Sequence, residues 1–412
     1  MEATTQTPLP VMPVETPEFA ADPGPYLRAA QAEHPWLARF SQGYIVHGHQ
    51  AVCNLLADDD NLHSGFGPVI DFYEARGTTW GRFMDEIIMA RPGSSEGHKR
   101  LRASINKAFT PRRAADARDM MRAIVSDLLD EWAPRGKFDF AEFASFIPVS
   151  VVFGLLGVST EAIPRLRTAL ENQLLSVTLD PAAKPLFMAG WDVLWEFADT
   201  LVKERKASGE FDEEALLDTL IAAKQSGQMD ETELRFMVLT LAIGGYDTTK
   251  NQLTVTLKLA MENPEVYARC AEDWKYCGKV VDEALRHTPT VSPFRRVARD
   301  FVYDGIEFRE GETLVIVTPL AGHDPGVFAE PEKFDPDREN VNRHVGFGRG
   351  AHICVGQFVA RNLLQESIHL IAQRLKNPRV DGEIEWRSIL GAYGLRHLPI
   401  AFDPAVGKKG VP

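Results

Sequence analysis

Cys354 is the residue of this chain whose surroundings point most directly to chemistry. It lies in the segment FGRGAHICVG, residues 347–356, just before a stretch with helical apolar spacing. Unpaired N–H groups at a helix start favour a thiolate, which is either a nucleophile or a metal ligand. A small buried apolar role is the other interpretation. A zinc site needs three more ligands and only His352 is near, whereas a nucleophile needs a base that the sequence does not locate.

A second candidate pair, Asp247 and Thr248, follows two glycines in the segment GGYDTT, residues 244–249. The segment lies in the middle of a long helical pattern, where each glycine costs about 1 kcal/mol relative to alanine. A close helix crossing would compensate for this cost. In that interpretation Asp247 is exposed and the Thr248 hydroxyl bonds back to a backbone carbonyl.

Two further pairs have helical spacing. Glu283 and Arg286 are separated by three positions, and His98 and Arg102 by four, so each pair lies on one helix face. Taken alone, both pairs fit ordinary solvated helix surfaces, where such contacts add little stability.

The Phe-Gly-x-Gly-x-His-x-Cys-x-Gly spacing of the cysteine segment resembles the haem-binding loop of the cytochrome P-450 family. The resemblance implies that Cys354 is the thiolate ligand of the iron of heme b, a role that favours O–O bond cleavage. It also implies that Phe347 shields the sulfur and that His352 hydrogen-bonds a haem propionate. Gly348 and Gly356 complete the loop that holds the cofactor.

Other segments resemble motifs of the same family. The Glu283-x-x-Arg286 pair matches its Glu-x-x-Arg motif, and FAEPEKFDPDR, residues 328–338, matches its Pro-x-x-Phe-Asp-Pro-x-Arg segment. This implies a buried network of Glu283, Arg286 and Arg338 behind the haem. These residues are expected to maintain the fold and not to act in catalysis.

Further side chains are expected to bind the haem propionates. His98 and Arg102 resemble the His-x-x-x-Arg of the helix that lies across the haem in this family. The segment FRRV, residues 294–297, resembles the strand that supplies another arginine. The spacing favours Arg295 over Arg296, although the doublet leaves both open.

Asp247 and Thr248 resemble the Gly-x-Asp-Thr segment at which the family's distal helix opens over the haem. The resemblance implies that Thr248 hydrogen-bonds the bound oxygen and that Asp247 relays protons to it through water. This acid and alcohol favour an electron-fed oxygenase. Peroxide-driven or rearranging relatives often lack one of them, and a haem sensor needs neither; both alternatives stay open from the sequence.

The resemblance also implies a mostly apolar substrate site. Its wall is expected to come from an aromatic loop at residues 65–84, from the distal helix, and from segments after Glu-x-x-Arg and near the C-terminus. The individual residues are Thr240, Ile243, Gly244, Val291, Ser292, Ala392 and Tyr393. A small or medium hydrophobic substrate of terpenoid or aromatic type fits this wall. Residues 174–191 are expected to form a mobile lid.

Length and composition limit the class of protein. The chain has 412 residues, 44% hydrophobic and 25% charged, which is typical of globular proteins. Its net charge of −13 argues against nucleic-acid binding, which depends on basic residues. Four cysteines without a CxxC pair predict free thiols in a reducing, cytoplasmic location. The longest apolar stretch, Ile147 to Val158, is too short for a membrane span.

Apolar periodicity predicts a mainly α fold with a minor β part. A long helix is expected to run from Asp230, where Glu233 completes a capping box, to Asn263, and to cross the whole molecule. Residues 36–47 predict a hairpin and residues 301–319 a second strand pair.

The domain organisation and the partners complete these expectations. Residues 1–24 are expected to form a flexible arm, and residues 25–408 one haem domain. Electrons are expected from a separate ferredoxin and its NAD(P)H-dependent reductase, since no flavin or iron–sulfur domain follows. Arginines near Cys354 are expected to attract an acidic ferredoxin; they are Arg112, Arg113, Arg343, Arg349 and Arg361. The protein is expected to be a monomer.

Overall fold

The structure is a computed structural model that describes residues 8–158, 160–178, 180–212 and 215–404. Helices dominate and the strands form small sheets, which confirms the mainly α class with a minor β part. The helices of this part of the chain are α1 Pro17–Ala21, α2 Gly24–Glu33, α3 His49–Leu56, α4 Phe66–Phe72, α5 Thr79–Glu86, α6 Glu96–Asn106, α7 Pro111–Asp116, α8 Arg118–Trp132, α9 Phe140–Leu155, α10 Ile163–Leu174, α11 Lys184–Ser208, α12 Leu216–Gln225, α13 Glu231–Met261, α14 Pro264–Glu272, α15 Trp274–His287, α16 Thr318–Ala321 and α17 Gln357–Arg374. Among them, none is long and apolar enough to cross a membrane.

The strands of the same residues are β1 Leu37–Phe40, β2 Gly43–Val46, β3 Leu62–Ser64, β4 Lys137–Asp139, β5 Val291–Ser292, β6 Phe294–Val297, β7 Phe301–Tyr303, β8 Ile306–Phe308, β9 Thr313–Ile316, β10 Leu375–Val380, β11 Glu385–Trp386, β12 Gly391–Ala392, β13 Leu395–His397 and β14 Pro399–Pro404. The largest sheet has the order β1-β2-β9-β6-β3, and the next has the order β10-β14-β4. The pairs β11-β13, β12-β5 and β7-β8 are separate ribbons.

The predicted strand pairs are found with one difference. The hairpin at residues 36–47 is β1 and β2, in which Leu37 pairs with Val46. In the segment 301–319, β7 and β8 pair with each other, but β9 joins β2 and β6 in the larger sheet. The apolar side chains of β9 are buried there, and a two-stranded ribbon does not provide such burial.

α13 organises the helical part. Its start is the predicted capping box, in which Asp230 accepts from the Glu233 amide at 2.7 Å and Glu233 accepts from the Asp230 amide at 3.0 Å. The first half of α13 packs in an apolar cluster with α5, α10 and α11. Its second half packs in another cluster with α8, α9, α15 and α17. The helix therefore joins the two main parts of the core.

The expected flexible arm is wrong for the described residues 8–24. Met12, Val14 and Phe19 are buried, and Met12 donates its amide to the Arg39 carbonyl of β1 at 2.8 Å. α1 forms within this segment. The segment packs because its apolar residues cover the sheet, and extended backbone next to proline suits pairing at a sheet edge. Residues 1–7 lie outside the described part.

The substrate-side segments are more helical and more buried than expected. Residues 65–84, predicted as a loop, form α4 and most of α5. The described residues of the predicted lid, 174–191, leave the α-helical conformation between α10 and α11 and are helical again from residue 184. Within α11, Phe187 and Trp191 are fully buried against Tyr73 and Phe83. These aromatic side chains belong to the first apolar cluster, since each buries a large apolar area between the helices.

The predicted network of Glu283, Arg286 and Arg338 is confirmed. Glu283 and Arg286 have no exposed side-chain surface, and their Oε1 and Nη2 atoms are 2.5 Å apart. Arg338 Nε lies 3.3 Å from the same oxygen, and the Asp335 amide donates to it at 2.9 Å. Arg286 also donates to the Gly322 carbonyl. The network is therefore closely satisfied by its own members and by backbone groups.

Removing the Glu283 charge is expected to destabilise the fold. The Glu283→Gln variant leaves two arginines without their carboxylate, and breaking a buried pair typically costs about 3–5 kcal/mol. Thermal unfolding monitored by circular dichroism measures this loss. The matched control is Glu307→Gln, whose partner Arg309 is exposed and stays hydrated without the carboxylate. Its free energy of unfolding is expected to change by less than about 0.5 kcal/mol. Equal melting temperatures for the two variants would contradict the structural role.

Candidate functional site

The cysteine segment folds into a tight loop before α17. The Cys354 amide donates to the Phe347 carbonyl at 2.9 Å, which closes the loop. Gly348 has a φ of 72°, a conformation that side chains disfavour. Burial raises the pKa of the Cys354 thiol, while the Gly356 amide and the Arg102 charge oppose that shift. A thiol in this setting becomes a thiolate when a metal ion coordinates it.

α6 brings His98 and Arg102 to this loop. The His98 ring lies 4.6 Å from the His352 ring, and its Nε2 atom has no hydrogen-bond partner among the described residues. Arg102 donates from Nη2 to the Ile353 carbonyl at 2.6 Å. Burial lowers the pKa of His98 and that of Arg102. A cation and an unpartnered ring nitrogen at one place favour an anionic ligand.

Arg295 and Arg296 point to opposite sides of β6, because side chains alternate along a strand. Arg296 is exposed, whereas Arg295 is half-buried and donates to the carbonyl of neighbouring Phe294 at 3.1 Å. Burial lowers the pKa of Arg295, and the carboxylate of Asp59 opposes this effect. The inward arginine of the doublet is thus Arg295, in agreement with the spacing argument.

Asp59 is a residue that the sequence reasoning missed. Its Oδ1 atom lies 3.4 Å from His352 Nε2, and its charge also acts on Arg295 and His98. It lies in a run of three aspartates between α3 and β3 that has no distinctive motif. Asp59 is therefore a shared neighbour of three side chains expected to bind propionates, namely His98, Arg295 and His352.

These groups fit a flat anionic cofactor ligated through sulfur. The thiol of Cys354, the guanidinium groups of Arg102 and Arg295 and the unpartnered His98 nitrogen match the thiolate and propionate requirements of haem. Zinc fits less well, since no group of three or more His, Cys, Asp or Glu in the described chain has metal-binding geometry. Haem is the cofactor that this donor set suits.

α13 leaves one face open in its middle. Most of the residues of this helix are buried, yet Gly244 is exposed and Thr240, Ile243 and Thr248 are half-buried. Their spacing puts the four residues on one side of the helix. A Cβ atom added at Gly244 meets nothing within 4 Å. This face therefore borders free space, whereas the other faces of the helix are packed against neighbouring elements.

The two adjacent glycines serve different purposes. A Cβ atom at Gly245 would lie 2.7 Å from Cγ2 of Val152, so this glycine permits the close crossing of α9 and α13. Gly244 faces the free space, and its carbonyl accepts from the Thr248 hydroxyl at 2.8 Å. The interpretation of a helix crossing is thus correct for Gly245, and Gly244 forms the open face.

Asp247 is buried and not exposed as the crossing interpretation expected, with 2% of its surface accessible. Nη1 of Arg387 lies 2.9 Å and 3.1 Å from its two carboxylate oxygens. The Asn251 side chain donates to Oδ2 at 3.1 Å. Neither partner was predicted: Arg387 lies in a C-terminal segment without a motif, and Asn251 carried a signal only in its four-residue spacing from Asp247.

The remaining predicted wall residues divide into two groups. Ala392 pairs with Val291 in the β12-β5 ribbon, and both are half-buried. Ser292 and Tyr393 are the corrections. Ser292 is 1% exposed on the other side of β5 from Val291, and the Tyr393 hydroxyl donates to the Ala20 carbonyl at 2.6 Å. Strand alternation explains both outcomes, since neighbouring side chains face opposite directions.

Comparison with known proteins agrees with this geometry. Residues 41–377 match the model of the family described as Cytochrome P450. Luteothin monooxygenase of Streptomyces thioluteus is 30% identical over 402 residues, which cover 96% of this chain and 97% of that protein. The biotin biosynthesis cytochrome P450 of Bacillus subtilis is 27% identical over 311 residues, covering 74% of this chain and 78% of that protein.

Solved structures show the same fold. A myxobacterial cytochrome P450 in complex with myristic acid has a TM-score of 0.85 and 25% identity, covering 94% of this chain and 98% of that one. Epothilone D-bound cytochrome P450epoK has a TM-score of 0.87 and 21% identity, covering 96% and 99%. The family match, the relatives and the cysteine loop agree: the chain belongs to the cytochrome P450 family and is one of its monooxygenases.

Proposed function

We propose that this monooxygenase inserts one atom of O2 into a small or medium hydrophobic molecule of terpenoid or aromatic type, with electrons from a ferredoxin and its reductase. The open face of α13 carries the proposal, because it presents the Thr248 hydroxyl beside the free space at Gly244. Ile243 on this face and Val355, next to Cys354, pack against the same apolar cluster. That shared packing supports a site between α13 and the cysteine loop.

Heme b is the proposed cofactor, and the chain offers a partner for each of its polar groups. Cys354 is the proposed thiolate ligand, while Arg102, Arg295, His98 and His352 are the proposed partners of the propionates. Phe347, Gly348 and Gly356 shape the loop around the sulfur. When bound through a thiolate, haem supplies the redox chemistry that activates O2.

Thr248 and Asp247 are the proposed proton-handling residues. The Thr248 hydroxyl now donates to the Gly244 carbonyl, and rotation about its side chain turns that donor toward a molecule in the free space. Asp247 directly precedes Thr248 in α13, and the proton that it relays reaches the site through the Thr248 hydroxyl or a water molecule. The apolar side chain of Ile243 limits the access of bulk water to the same face.

The proposed substrate wall consists of Thr240, Ile243, Val291 and Ala392. The Thr240 hydroxyl donates to the Phe236 carbonyl at 2.7 Å, so its methyl group is free to contact a ligand. None of these four wall residues carries a charge, which favours a hydrophobic molecule. The names of one relative and of two similar structures include luteothin, epothilone D and myristic acid, and these three compounds are suitable probes.

The proposed electron donor is an acidic ferredoxin. Arg112 is highly exposed, with the Asp116 carboxylate 3.9 Å away, whereas Arg361 is held by Asp282 at 2.7 Å. Electrostatic attraction therefore rests on Arg112, together with Arg343 and Arg349, more than on Arg361. The four cysteines are unpaired thiols, which supports the proposed cytoplasmic location.

Replacement of Cys354 is expected to abolish the thiolate spectrum. The reduced, carbon-monoxide-bound wild type is expected to absorb at about 450 nm, and Cys354→Ser is expected to lose that band. Cys53→Ser, which alters another partly buried cysteine, should keep it. A folded wild type with no such band would remove the basis of the oxygenase proposal.

The two arginines of β6 give a matched test of cofactor binding. Arg295→Gln is expected to release haem to an excess of haem-scavenging globin about 10–100-fold faster, since a hydrogen bond to a charged group contributes roughly 1.5–3 kcal/mol. Arg296→Gln should release haem at the wild-type rate, because its side chain faces solvent. Faster loss from the Arg296 variant would reverse the assignment.

The substrate wall is tested by ligand titration of the Soret band. At least one of luteothin, epothilone D and myristic acid is expected to shift the band of the wild type. Ala392→Trp places a large side chain in the space beside the wall. It should weaken that binding by about tenfold or more, which is a loss of at least about 1.4 kcal/mol of binding free energy. Tyr393→Phe is the control, since its ring lies outside the wall. Equal weakening by both variants would contradict the proposed wall.

A further inference from the structure

Asp247 is held by two partners that belong to different elements. Arg387, between β11 and β12, contributes the cation, and Asn251, one turn further along α13, contributes a neutral donor. The carboxylate is buried, whereas 21% of the Arg387 side chain is exposed. Pairing with Arg387 avoids an uncompensated buried charge at Asp247. The partly exposed side chain of Arg387 connects this ion pair to solvent.

The loop of residues 387–394 contacts Asp247 through Arg387 and contacts Asn251, the other partner of Asp247, through Gly394. The Arg387 amide donates to the Gly394 carbonyl at 2.8 Å, which closes the loop. At its other end, Gly394 lies so close to Asn251 that an added Cβ atom would be 2.6 Å from the Asn251 Cβ. One end of the loop therefore supplies the guanidinium, and the other fixes the amide that bonds to Asp247.

The same loop carries part of the proposed substrate wall. Gly391 and Ala392 pair with Ser292 and Val291 of β5, and the Tyr393 amide donates to the Thr290 carbonyl at 2.8 Å. A ligand that displaces Ala392 thus acts on a segment whose two ends touch Asp247 directly or through Asn251. The wall and the acid share one short segment.

Other charged groups near Asp247 are engaged elsewhere. Lys250 Nζ lies 3.4 Å from Glu171 of α10, and the Tyr246 hydroxyl donates to the same carboxylate at 3.0 Å. Arg167 also contacts Glu171. Burial lowers the pKa of Lys250, and the positive charge of Arg387 adds to that effect. Within the described chain, the side chains that hydrogen-bond to the Asp247 carboxylate are Arg387 and Asn251.

We propose that Arg387 is a positioning residue of the proton relay, which fixes and neutralises Asp247 and ties it to the substrate wall through the loop of residues 387–394. The inference rests on the proposed function of Asp247. At rest Asp247 is a carboxylate held by Arg387. In each transfer it takes up one proton from solvent and gives that proton up toward the oxygen site, which returns it to the carboxylate form.

The charge state of Asp247 gives a test that does not depend on turnover. Infrared spectra of the haem-loaded proteins at neutral pH are compared for the wild type, Arg387→Gln and Arg387→Lys. The control Arg379→Gln removes an exposed arginine paired with exposed Asp403. Only Arg387→Gln is expected to show the C=O band of a protonated carboxyl group, and a second change, Asp247→Asn, should remove that band. Absence of the band would overturn the proposal.

The relay itself is tested by the fate of O2 without added substrate. Reduction to H2O2 consumes two electrons and two protons, whereas reduction to water consumes four of each. With NADPH, ferredoxin and its reductase, Arg387→Gln is expected to raise the share of O2 released as H2O2 about 3–10-fold. In Arg387→Lys the H2O2 share should return most of the way to the wild-type value, and in Arg379→Gln it should equal the wild-type value.

The outcomes separate this inference from the proposed function. If the wild type consumes no O2 with these electron donors, the proposed function is contradicted, and the relay that rests on it is contradicted as well. A wild type that consumes O2, together with an Arg387→Gln protein of unchanged H2O2 share, overturns the positioning role alone. Retention of the carbon-monoxide spectrum in every variant shows that the cysteine loop is intact, so that loss of fold is distinguished from loss of the relay.

Discussion

Burial of most residues of α13, in both of its halves, is the constraint on which the rest of the structure depends. Its 31 residues span about 46 Å at 1.5 Å per residue, which exceeds the reach of a single apolar cluster. Each half therefore has its own set of packing helices. The open face at Gly244 is tolerated because both flanks are filled, so the free space is confined to the helix centre, where Thr248 lies.

Buried charge is arranged in three different ways around this helix. Glu283, Arg286 and Arg338 satisfy one another and nearby carbonyls, so this network holds the chain and leaves little capacity for a ligand. The pair of Asp247 and Arg387 is also satisfied, but one member reaches solvent. The cysteine loop region is different, because His98 retains an unpartnered nitrogen. The unpartnered His98 nitrogen therefore leaves the cysteine loop region with a buried polar atom that a ligand can pair.

The sequence predicted what local spacing determines. The capping box of α13, the Glu283 network and the inward side of the arginine doublet each follow from fixed helix or strand periodicity. Partners from distant parts of the chain were missed, because nothing local marks Asp59 beside His352 or Arg387 beside Asp247. The errors at Tyr393 and residues 8–24 have one cause: each segment packs against the other, and neither reveals this alone.

The contact of Tyr393 with Ala20 joins residues 373 positions apart. A ribosome adding roughly 5–20 residues per second needs about 20–75 s to make the chain between them. During that time Phe19 and its apolar neighbours emerge without the C-terminal part of their burial site. Completion of the N-terminal region is therefore a late event in synthesis. A nascent chain that stalls before residue 393 exposes an apolar segment that chaperones and proteases recognise.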